Sequence, residues 1–229
     1  MLEIGPGEGA LTKYLAQSVK HLIVVDVDNR VVDRMREMFP GVEVVHGDFL
    51  ELDLEALARK NAAGLRVVGN IPYNITSPIL FHLLDHRMWV SDAMLMTQRE
   101  VAERLVAQPG TKEYGILSVF FQLFTNVDIL FEVSRNAFYP KPEVTSSVVS
   151  LAILKRQRYD IADEEFFRSM VRSIFGKRRK MLRSSLRYFC EEFGCELPPD
   201  FDLTRRPEDL SIRELVQLSD KVLATKQSE

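Results

Sequence analysis

The chain has 229 residues, of which 46% are hydrophobic and 28% are charged, a balance typical of a folded globular protein rather than a disordered or fibrous one. No apolar run reaches the ~20 residues that cross a bilayer, so we expect neither a membrane span nor a secretory leader. Two cysteines, Cys190 and Cys195, cannot form a disulfide framework, which favours a reducing, cytoplasmic location. The net charge of −3 argues against a uniformly basic chain, yet positions 168–187 hold eight Lys and Arg and no acidic residue.

Short β-branched runs alternate with helical patterns along most of the chain. Strands are predicted at 2–4, 21–26, 42–46, 67–69 and 93–96, and helical spacing is found at 11–19, 31–38, 79–84, 99–106 and 114–124. This alternation predicts an α/β fold with a mostly parallel sheet covered by helices. Two later strands, 127–133 and 147–153, have no helix between them and predict an antiparallel hairpin at one edge of the sheet.

Beyond Lys155 only helices are predicted. Asp163 can cap a helix that extends to Phe175, a second helix follows Gly176 and continues to about Phe189, and the Ser211-x-x-Glu214 capping box begins a last helix. The sequence therefore predicts two domains, an α/β domain at 1–155 and a small helical domain at 156–229.

A glycine-rich turn follows the first predicted strand. Gly5, Gly7 and Gly9 let backbone N–H groups approach a ligand, and Asp26, at the end of the next strand, can accept hydrogen bonds from two ribose hydroxyls. The spacing differs from Gly-x-Gly-x-x-Gly, and the Glu3 carboxylate would repel a pyrophosphate but can hold a cationic amine. This favours S-adenosylmethionine over a dinucleotide, with a tight turn that binds no ligand as the alternative.

Gly47-Asp48-Phe49 follows the third predicted strand, where Asp48 could accept a hydrogen bond from an adenine amino group.

Asn70-Ile71-Pro72-Tyr73 follows the fourth strand and is the more specific signal. An exocyclic adenine amine is a poor nucleophile because its lone pair is delocalised into the ring, and two acceptors that take its N–H bonds favour the localised form. The Asn70 oxygen and a backbone carbonyl of this loop can be those acceptors, Pro72 stiffens the turn, and the Tyr73 ring can stack on a flipped base. The alternative is an ordinary loop with a buried tyrosine.

These motifs and several later ones together resemble the KsgA-type rRNA adenine N6,N6-dimethyltransferases. The matching segments occur in order across nearly the whole chain, at 3–7 with Leu11 and Thr12, 47–48, 69–78, 98–105, 137–142, 146–149, 176–180 and 206–211. The resemblance implies a class I methyltransferase fold with a small helical C-terminal domain. It also implies that two methyl groups are transferred from S-adenosylmethionine to each of two neighbouring adenosines near the 3′ end of small-subunit rRNA.

The resemblance also assigns roles to individual residues. It implies that Phe138 packs on the target base opposite Tyr73, and that Asp26 and Asp48 bind the ribose and the adenine of the cofactor, with Phe49 beside them.

Two departures from the family pattern affect this site. The family usually has Glu where Asp26 stands, and its members carry a segment before the first strand that closes over the cofactor. Because this sequence begins at that strand, we expect a more open cofactor pocket.

The basic segment predicts an RNA contact. Arg179, Arg183 and Arg187 recur four residues apart, and such a stripe of like charge is unfavourable unless an anion is near; a solvated helical face is the alternative. The residues assigned to RNA binding are Arg99, Arg104, Lys177, Arg178, Arg179, Lys180 and Arg183.

No metal is expected, because His82 and His86 lack a third ligand and the two cysteines lack a partner pair. We expect a monomer that acts on the precursor small subunit, with no membrane partner. Two other functions stay open. One is the resistance-type methylation of large-subunit rRNA, and the other is ribosome assembly by binding alone. DNA or protein glutamine methylation is less expected, since those loops typically read Asn/Asp-Pro-Pro-Tyr.

Overall fold

The computed structural model describes residues 1–59, 64–139, 141–177 and 180–226. The chain divides into two compact units: unit 1 comprises Met1–Ala102 and Thr125–Ile153, and unit 2 comprises Glu103–Phe124 and Leu154–Glu229. The predicted 1–155 domain differs from unit 1 in residues 103–124, which group with unit 2. Their helix is apolar on nearly every side, and Phe120 packs edge-to-face on Phe167 of unit 2. A helix buried all round belongs with the core that surrounds it.

Unit 1 contains one seven-stranded sheet. The strands are β1 Leu2–Ile4, β2 Ile23–Asp26, β3 Glu43–His46, β4 Leu65–Asn70, β5 Val90–Gln98, β6 Thr125–Val133 and β7 Ser146–Ile153. Their order is β3-β2-β1-β4-β5-β7-β6. Neighbouring strands from β3 to β5 are parallel, whereas β7 is antiparallel to both β5 and β6. The predicted alternation and the antiparallel hairpin are both confirmed.

Nine α-helices connect or follow these strands in the described part of the chain. They are α1 Thr12–Ser18, α2 Asn29–Met38, α3 Leu54–Arg59, α4 Thr76–Asp85, α5 Arg99–Val106, α6 Ile116–Phe124, α7 Glu164–Phe175, α8 Leu182–Phe193 and α9 Ile212–Ala224. None of them is long and apolar enough to cross a membrane. The helix α3 was not predicted.

The glycine at position 69 lets β1 and β4 approach each other closely. A Cβ built on Gly69 would lie 2.9 Å from the Ile4 carbonyl oxygen and 3.1 Å from the Ile4 Cβ. Both distances are shorter than the normal contact between such atoms, so a side chain here would push the two strands apart. Gly69 therefore keeps the ends of β1 and β4 in register, and both loops of the candidate site begin at those ends.

The helices of unit 2 begin and end at the predicted signals, with one exception. Asp163 accepts from the Phe166 N–H at the start of α7 (2.9 Å), and Ser211 and Glu214 form the capping box of α9. The exception is α8, which continues one turn beyond Phe189. It ends at Gly194, whose φ of +65° is the left-handed conformation that commonly closes a helix.

Candidate functional site at the carboxyl edge of the sheet

The loops with the predicted site residues meet at one edge of the sheet. Ile4 pairs with Val25 on one side and with Gly69 on the other, so β1, β2 and β4 end at nearly the same level. Asp26 pairs with His46, and Asn70 with Met96. Because these strands are parallel, the segments that follow them lie on the same side, where ligands of open α/β sheets bind.

The glycine-rich turn leaves the end of β1 in a conformation that glycine favours. The φ angles of Gly5, Gly7 and Gly9 are +62°, +55° and +78°. The Gly5 N–H donates to the Val25 carbonyl (3.0 Å), which ties the turn to β2. A Cβ on Gly7 would have nothing within 4 Å, whereas one on Gly5 would lie 4.0 Å from the Asn70 carbonyl oxygen. The turn is thus open at Gly7 and lies beside the Asn70 backbone at Gly5.

Glu3 is a buried carboxylate beneath this turn, with 2% of its surface exposed. The Thr12 hydroxyl donates to Oε2 of Glu3 (2.8 Å), and Thr12 is itself fully buried. Burial raises the pKa of Glu3, and the hydrogen bond from Thr12 opposes that rise. The role of Thr12 as the partner of Glu3 was not predicted, although the residue falls within the matching segments. A cation next to this carboxylate would offset the cost of its burial.

Two further carboxylates, Asp26 and Asp48, lie at the ends of β2 and β3. Each uses one oxygen to hold its own loop, because Asp26 Oδ1 accepts from the Asp28 N–H and Asp48 Oδ1 accepts from the Leu50 N–H, both at 2.9 Å. Phe49 was assigned to the cofactor, but its side chain is not available for that contact. Its side chain is 4% exposed and packs edge-to-face on His82, so a ligand contact there falls to its backbone.

The Asn70 loop combines exposed and anchored groups. Asn70 and Pro72 are exposed at the end of β4, while the Ile71 side chain is buried beneath them. The Pro72 carbonyl accepts from the Ile75 N–H and the Thr76 hydroxyl, both at 3.2 Å, which forms a 3-10 turn at Tyr73–Ile75. Tyr73 is half-buried.

A hydrogen bond between Tyr73 and Ser146 ties this loop to the first residue of β7. The Tyr73 hydroxyl lies 2.7 Å from the Ser146 Oγ, a contact between residues 73 positions apart. Ser146 pairs with Gln98 at the end of β5 and with Val133 at the end of β6. The connection between β6 and β7, which contains Phe138, therefore begins and ends at the edge where the Asn70 loop lies. Phe138 is half-buried.

The residues assigned to RNA contact are distributed over both units. Arg99 is exposed in unit 1, where its Nη1 lies 3.9 Å from Oε1 of Glu132. Arg104 is exposed in unit 2. Arg178 and Arg179 lie outside the described residues, and α8 begins at Leu182, so the described part of the predicted stripe consists of Arg183 and Arg187.

The described basic residues before and within α8 are Lys177, Lys180 and Arg183. The Lys177 Nζ lies 3.2 Å from the centroid of the exposed Tyr188 ring. Lys180 and Arg183 are exposed, and Arg183 occupies the first turn of α8, where the helix dipole disfavours a cation. The N–H groups of Leu182 and Arg183 donate to carbonyls of residues 205 and 203, so side chains must meet any anion here.

The two histidines singled out in the sequence lie on α4. His86 Nδ1 lies 2.9 Å from the His82 carbonyl, and the two rings are 4.3 Å apart. Burial lowers the pKa of His82, with the nearby His86 contributing in the same direction. In the described ranges, no group of three or more His, Cys, Asp or Glu side chains is placed to hold a metal ion.

The residues at this edge fit a nucleoside-bearing sulfonium cofactor. The open side of the glycine turn leaves room for a ligand against the backbone. The buried Glu3 suits a cationic amine, and the remaining oxygens of Asp26 and Asp48 suit ribose hydroxyls and an adenine amine. The Asn70 backbone lies beside the same turn, at the end of the neighbouring strand β4.

Comparisons with known proteins agree with this chemistry. Residues 1–198 match the family described as Ribosomal RNA adenine dimethylase. A Ribosomal RNA small subunit methyltransferase A of Chlorobium phaeobacteroides (strain BS1) is 46% identical over 218 residues, which is 95% of this chain and 80% of that protein. One of Geobacter metallireducens (strain ATCC 53774 / DSM 7210 / GS-15) is 42% identical over 238 residues, covering 98% of this chain and 85% of its own length.

Two solved structures share the fold. A dimethyladenosine transferase from Plasmodium falciparum superposes with a TM-score of 0.75 at 26% identity, covering 95% of this chain and 87% of its own. The 23S rRNA methyltransferase ErmE superposes with a TM-score of 0.66, also at 26% identity, covering 96% and 89%. The expected class I methyltransferase sheet with a helical C-terminal region is thereby confirmed.

Proposed function

Because the chain belongs to the ribosomal RNA adenine dimethylase family, whose enzymes use S-adenosylmethionine, we propose that it dimethylates N6 of two adjacent adenosines near the 3′ end of small-subunit rRNA. The observation that carries this proposal is the position of Asn70, which is exposed at the end of β4 and whose backbone carbonyl lies next to the glycine turn at Gly5. A hydrogen-bond acceptor in that place can prepare a substrate amine next to a bound methyl donor.

The small subunit is favoured over the large one by the relatives. The curated relatives described above, at 42% and 46% identity, are both named for the small subunit, whereas the likeness to the 23S enzyme is at 26% identity.

Ribosome assembly by binding alone is the third candidate. The buried Glu3 argues against it, because a buried carboxylate costs stability that a protein without a cofactor has no reason to retain.

The Asn70 loop supplies two acceptors for the target amine. The Asn70 side-chain oxygen takes one N–H. The Pro72 carbonyl is already engaged with Ile75 and Thr76, so we assign the second N–H to the Ile71 carbonyl. With both hydrogens held, the nitrogen lone pair is localised and directed away from the loop. Pro72 limits the motion of the turn, so the geometry is set before the substrate arrives.

Two aromatic rings hold the flipped base in this proposal. Tyr73 is anchored through its hydroxyl to Ser146, which makes its ring a fixed wall, and Phe138 would pack on the other face of the base. Neither ring needs to accept a proton. The Asn70 loop would orient the amine and exclude water, and no general base is required because the methylated amine can release its extra proton to solvent.

Glu3, Gly5, Gly7, Asp26, Asp48 and the backbone of Phe49 would hold the cofactor, with Asn70 at its reactive end. When bound, S-adenosylmethionine supplies a methyl group made electrophilic by its sulfonium. The contribution of Glu3 would be electrostatic, since its carboxylate meets the cationic amine in a place with little water.

Replacing Glu3 by glutamine should separate cofactor binding from folding. The raised pKa of Glu3 means that the free protein loses stability as pH rises from the ordinary carboxyl value through the higher folded value. The neutral amide removes that cost and can still accept from Thr12. We therefore expect the cofactor-free variant to melt no lower than the parent at pH 7, while its affinity for S-adenosylmethionine falls about 10- to 100-fold. Calorimetry and thermal melts measure the two effects.

Glu8, on the same turn but exposed, is the matched control for Glu3. Glu8→Gln removes the same charge and should change cofactor affinity by less than about twofold. A Glu3→Gln variant that binds the cofactor as tightly as the parent would contradict the role assigned to this carboxylate.

Contact with rRNA would involve Arg99 near the target base and, in unit 2, Arg104 with the basic segment around Lys177, Lys180 and Arg183. The helical residues 156–229 would act as the RNA-binding domain. We propose that the protein works as a monomer on the precursor small subunit in the cytoplasm, where ribosomes are assembled.

The direct test is methyl transfer to small subunits that lack the modification. With labelled S-adenosylmethionine, we expect label in small-subunit rRNA, recovered as N6,N6-dimethyladenosine from two adjacent positions near its 3′ end. Large subunits should stay unlabelled. Label in large-subunit rRNA would favour the resistance-type enzyme, and binding of subunits with no label on either RNA would favour the assembly factor.

A further inference from the structure

Tyr139 is a completely exposed aromatic residue on the connection between β6 and β7. Its relative exposure is 101%, whereas the preceding Phe138 is half-buried. The connection begins after Val133 and ends at Ser146, and Ser146 holds the Tyr73 hydroxyl. The connection that displays the Tyr139 ring therefore begins and ends at the edge of the sheet that carries the Asn70 loop.

The segment that carries Tyr139 is held at several points. The Arg99 N–H donates to the Thr145 carbonyl (3.0 Å), and Arg135 Nη1 reaches the Glu143 carbonyl (3.5 Å). In the sequence, Tyr139 precedes a proline, which disfavours the helical conformation for its backbone. Ordering the ring against a partner would therefore cost little conformational entropy, because the backbone is already restrained and tyrosine has few rotatable bonds.

The segment that carries Tyr139 has no net positive charge to attract a phosphate. The connection and the strand and helix ends beside it carry equal numbers of basic and acidic residues: Arg99, Arg135 and Lys141, and Glu100, Glu132 and Glu143. What the surface offers an RNA strand is an apolar ring face. Unpaired bases stack on such faces, with about 1–3 kcal/mol per base.

We propose that Tyr139 stacks on the nucleotide adjacent to the target adenosine. The inference rests on the proposed function and extends it with a substrate-positioning residue. A base that leaves its stack exposes the face of its neighbour, and an aromatic ring just outside the pocket covers that face. Tyr139 thereby keeps the strand in place while the target base is held in the pocket.

The test is methylation of small subunits by Tyr139→Ala and Tyr139→Phe. We expect the alanine variant to raise the KM for subunits by about 5- to 100-fold, with kcat and the KM for S-adenosylmethionine unchanged within about twofold. The phenylalanine variant, which keeps the ring, should behave as the parent. Because no phosphate contact is lost, the slope of log affinity against log salt should stay the same.

Tyr14 is the matched control, since it is an exposed tyrosine of unit 1 on α1, and Tyr14→Ala should leave the KM for subunits unchanged. A second readout reports stacking directly. Subunits reconstituted with 2-aminopurine next to the target position should fluoresce more strongly when bound to Tyr139→Ala than when bound to the parent, because a stacked 2-aminopurine is quenched.

Equal KM values for Tyr139→Ala and the parent, or equal 2-aminopurine signals, would overturn the proposal. A KM for subunits that is raised equally in the alanine and the phenylalanine variants would also overturn it, since the effect would then not depend on the aromatic ring. Failure of the proposed function looks different. The parent itself would then not label small subunits, whatever residue stands at position 139.

Discussion

Replacing Asn70 by alanine is expected to reduce methyl transfer at least ~10²-fold, with folding and cofactor affinity nearly unchanged. The side-chain oxygen acts mainly when the amine nitrogen becomes pyramidal, so its loss is felt in the transition state more than in the bound ground state. Asn70 is exposed at the end of β4, and no core packing is lost with its side chain. Single-turnover transfer of labelled methyl groups measures the effect, and calorimetry with S-adenosylmethionine measures cofactor binding.

Asn74 provides the matched control, because it is an exposed asparagine in the same loop. Asn74→Ala should retain activity within about threefold of the parent. If Asn70→Ala were equally active, the acceptor role assigned to Asn70 would be wrong. If instead Asn70→Ala lost cofactor binding in proportion to its activity, Asn70 would act by holding the cofactor rather than by preparing the amine.

Neutralising Lys177, Lys180 and Arg183 together, each to glutamine, is expected to weaken binding to small subunits about 10²-fold at 0.1 M salt. Each lost phosphate contact removes somewhat less than one released counterion, so the slope of log affinity against log salt should flatten by up to about 2–3 units. The position of Arg183 in the first turn of α8 supports this expectation, since a cation is unfavourable there without an anionic partner.

A control variant in which Lys155, Arg213 and Lys226 are neutralised in the same way changes the net charge of unit 2 by the same amount. It tests whether the loss of subunit affinity depends on where the charges are removed. All three are exposed. We expect only a small change in subunit affinity for this control, and no change in cofactor affinity for either triple. An unchanged salt slope in the first triple would make the basic segment a solvated surface, and the RNA contact would then have to be sought nearer Arg99, Arg104 and Lys112.

Much of the architecture follows from short-range patterns in the sequence. Alternating β-branched runs and helical spacing predicted the parallel strands, and the caps at Asp163 and Ser211 predicted where two helices begin. The glycine turn was also predictable, because positive φ at Gly5, Gly7 and Gly9 is a property that nearly excludes other residues. In each case the determining interactions lie within a few residues of one another, so the sequence contains them explicitly.

Tertiary packing decided the features that depend on distant residues. Helical spacing predicted α6 but not the unit with which it groups, and Phe49 carried no signal that its ring would turn inward against His82. The Thr12 hydrogen bond to Glu3 and the Tyr73 contact with Ser146 join residues 9 and 73 positions apart.

Such pairs meet only because strand order brings their elements together. The insertion of β7 between β5 and β6 places Ser146 beside the loop that follows β4. The sequence by itself therefore determined which chemical groups are present and which local turns present them. The tertiary structure decided which groups are buried and which are left exposed at the edge of the sheet, because burial depends on the packing of all the elements at once.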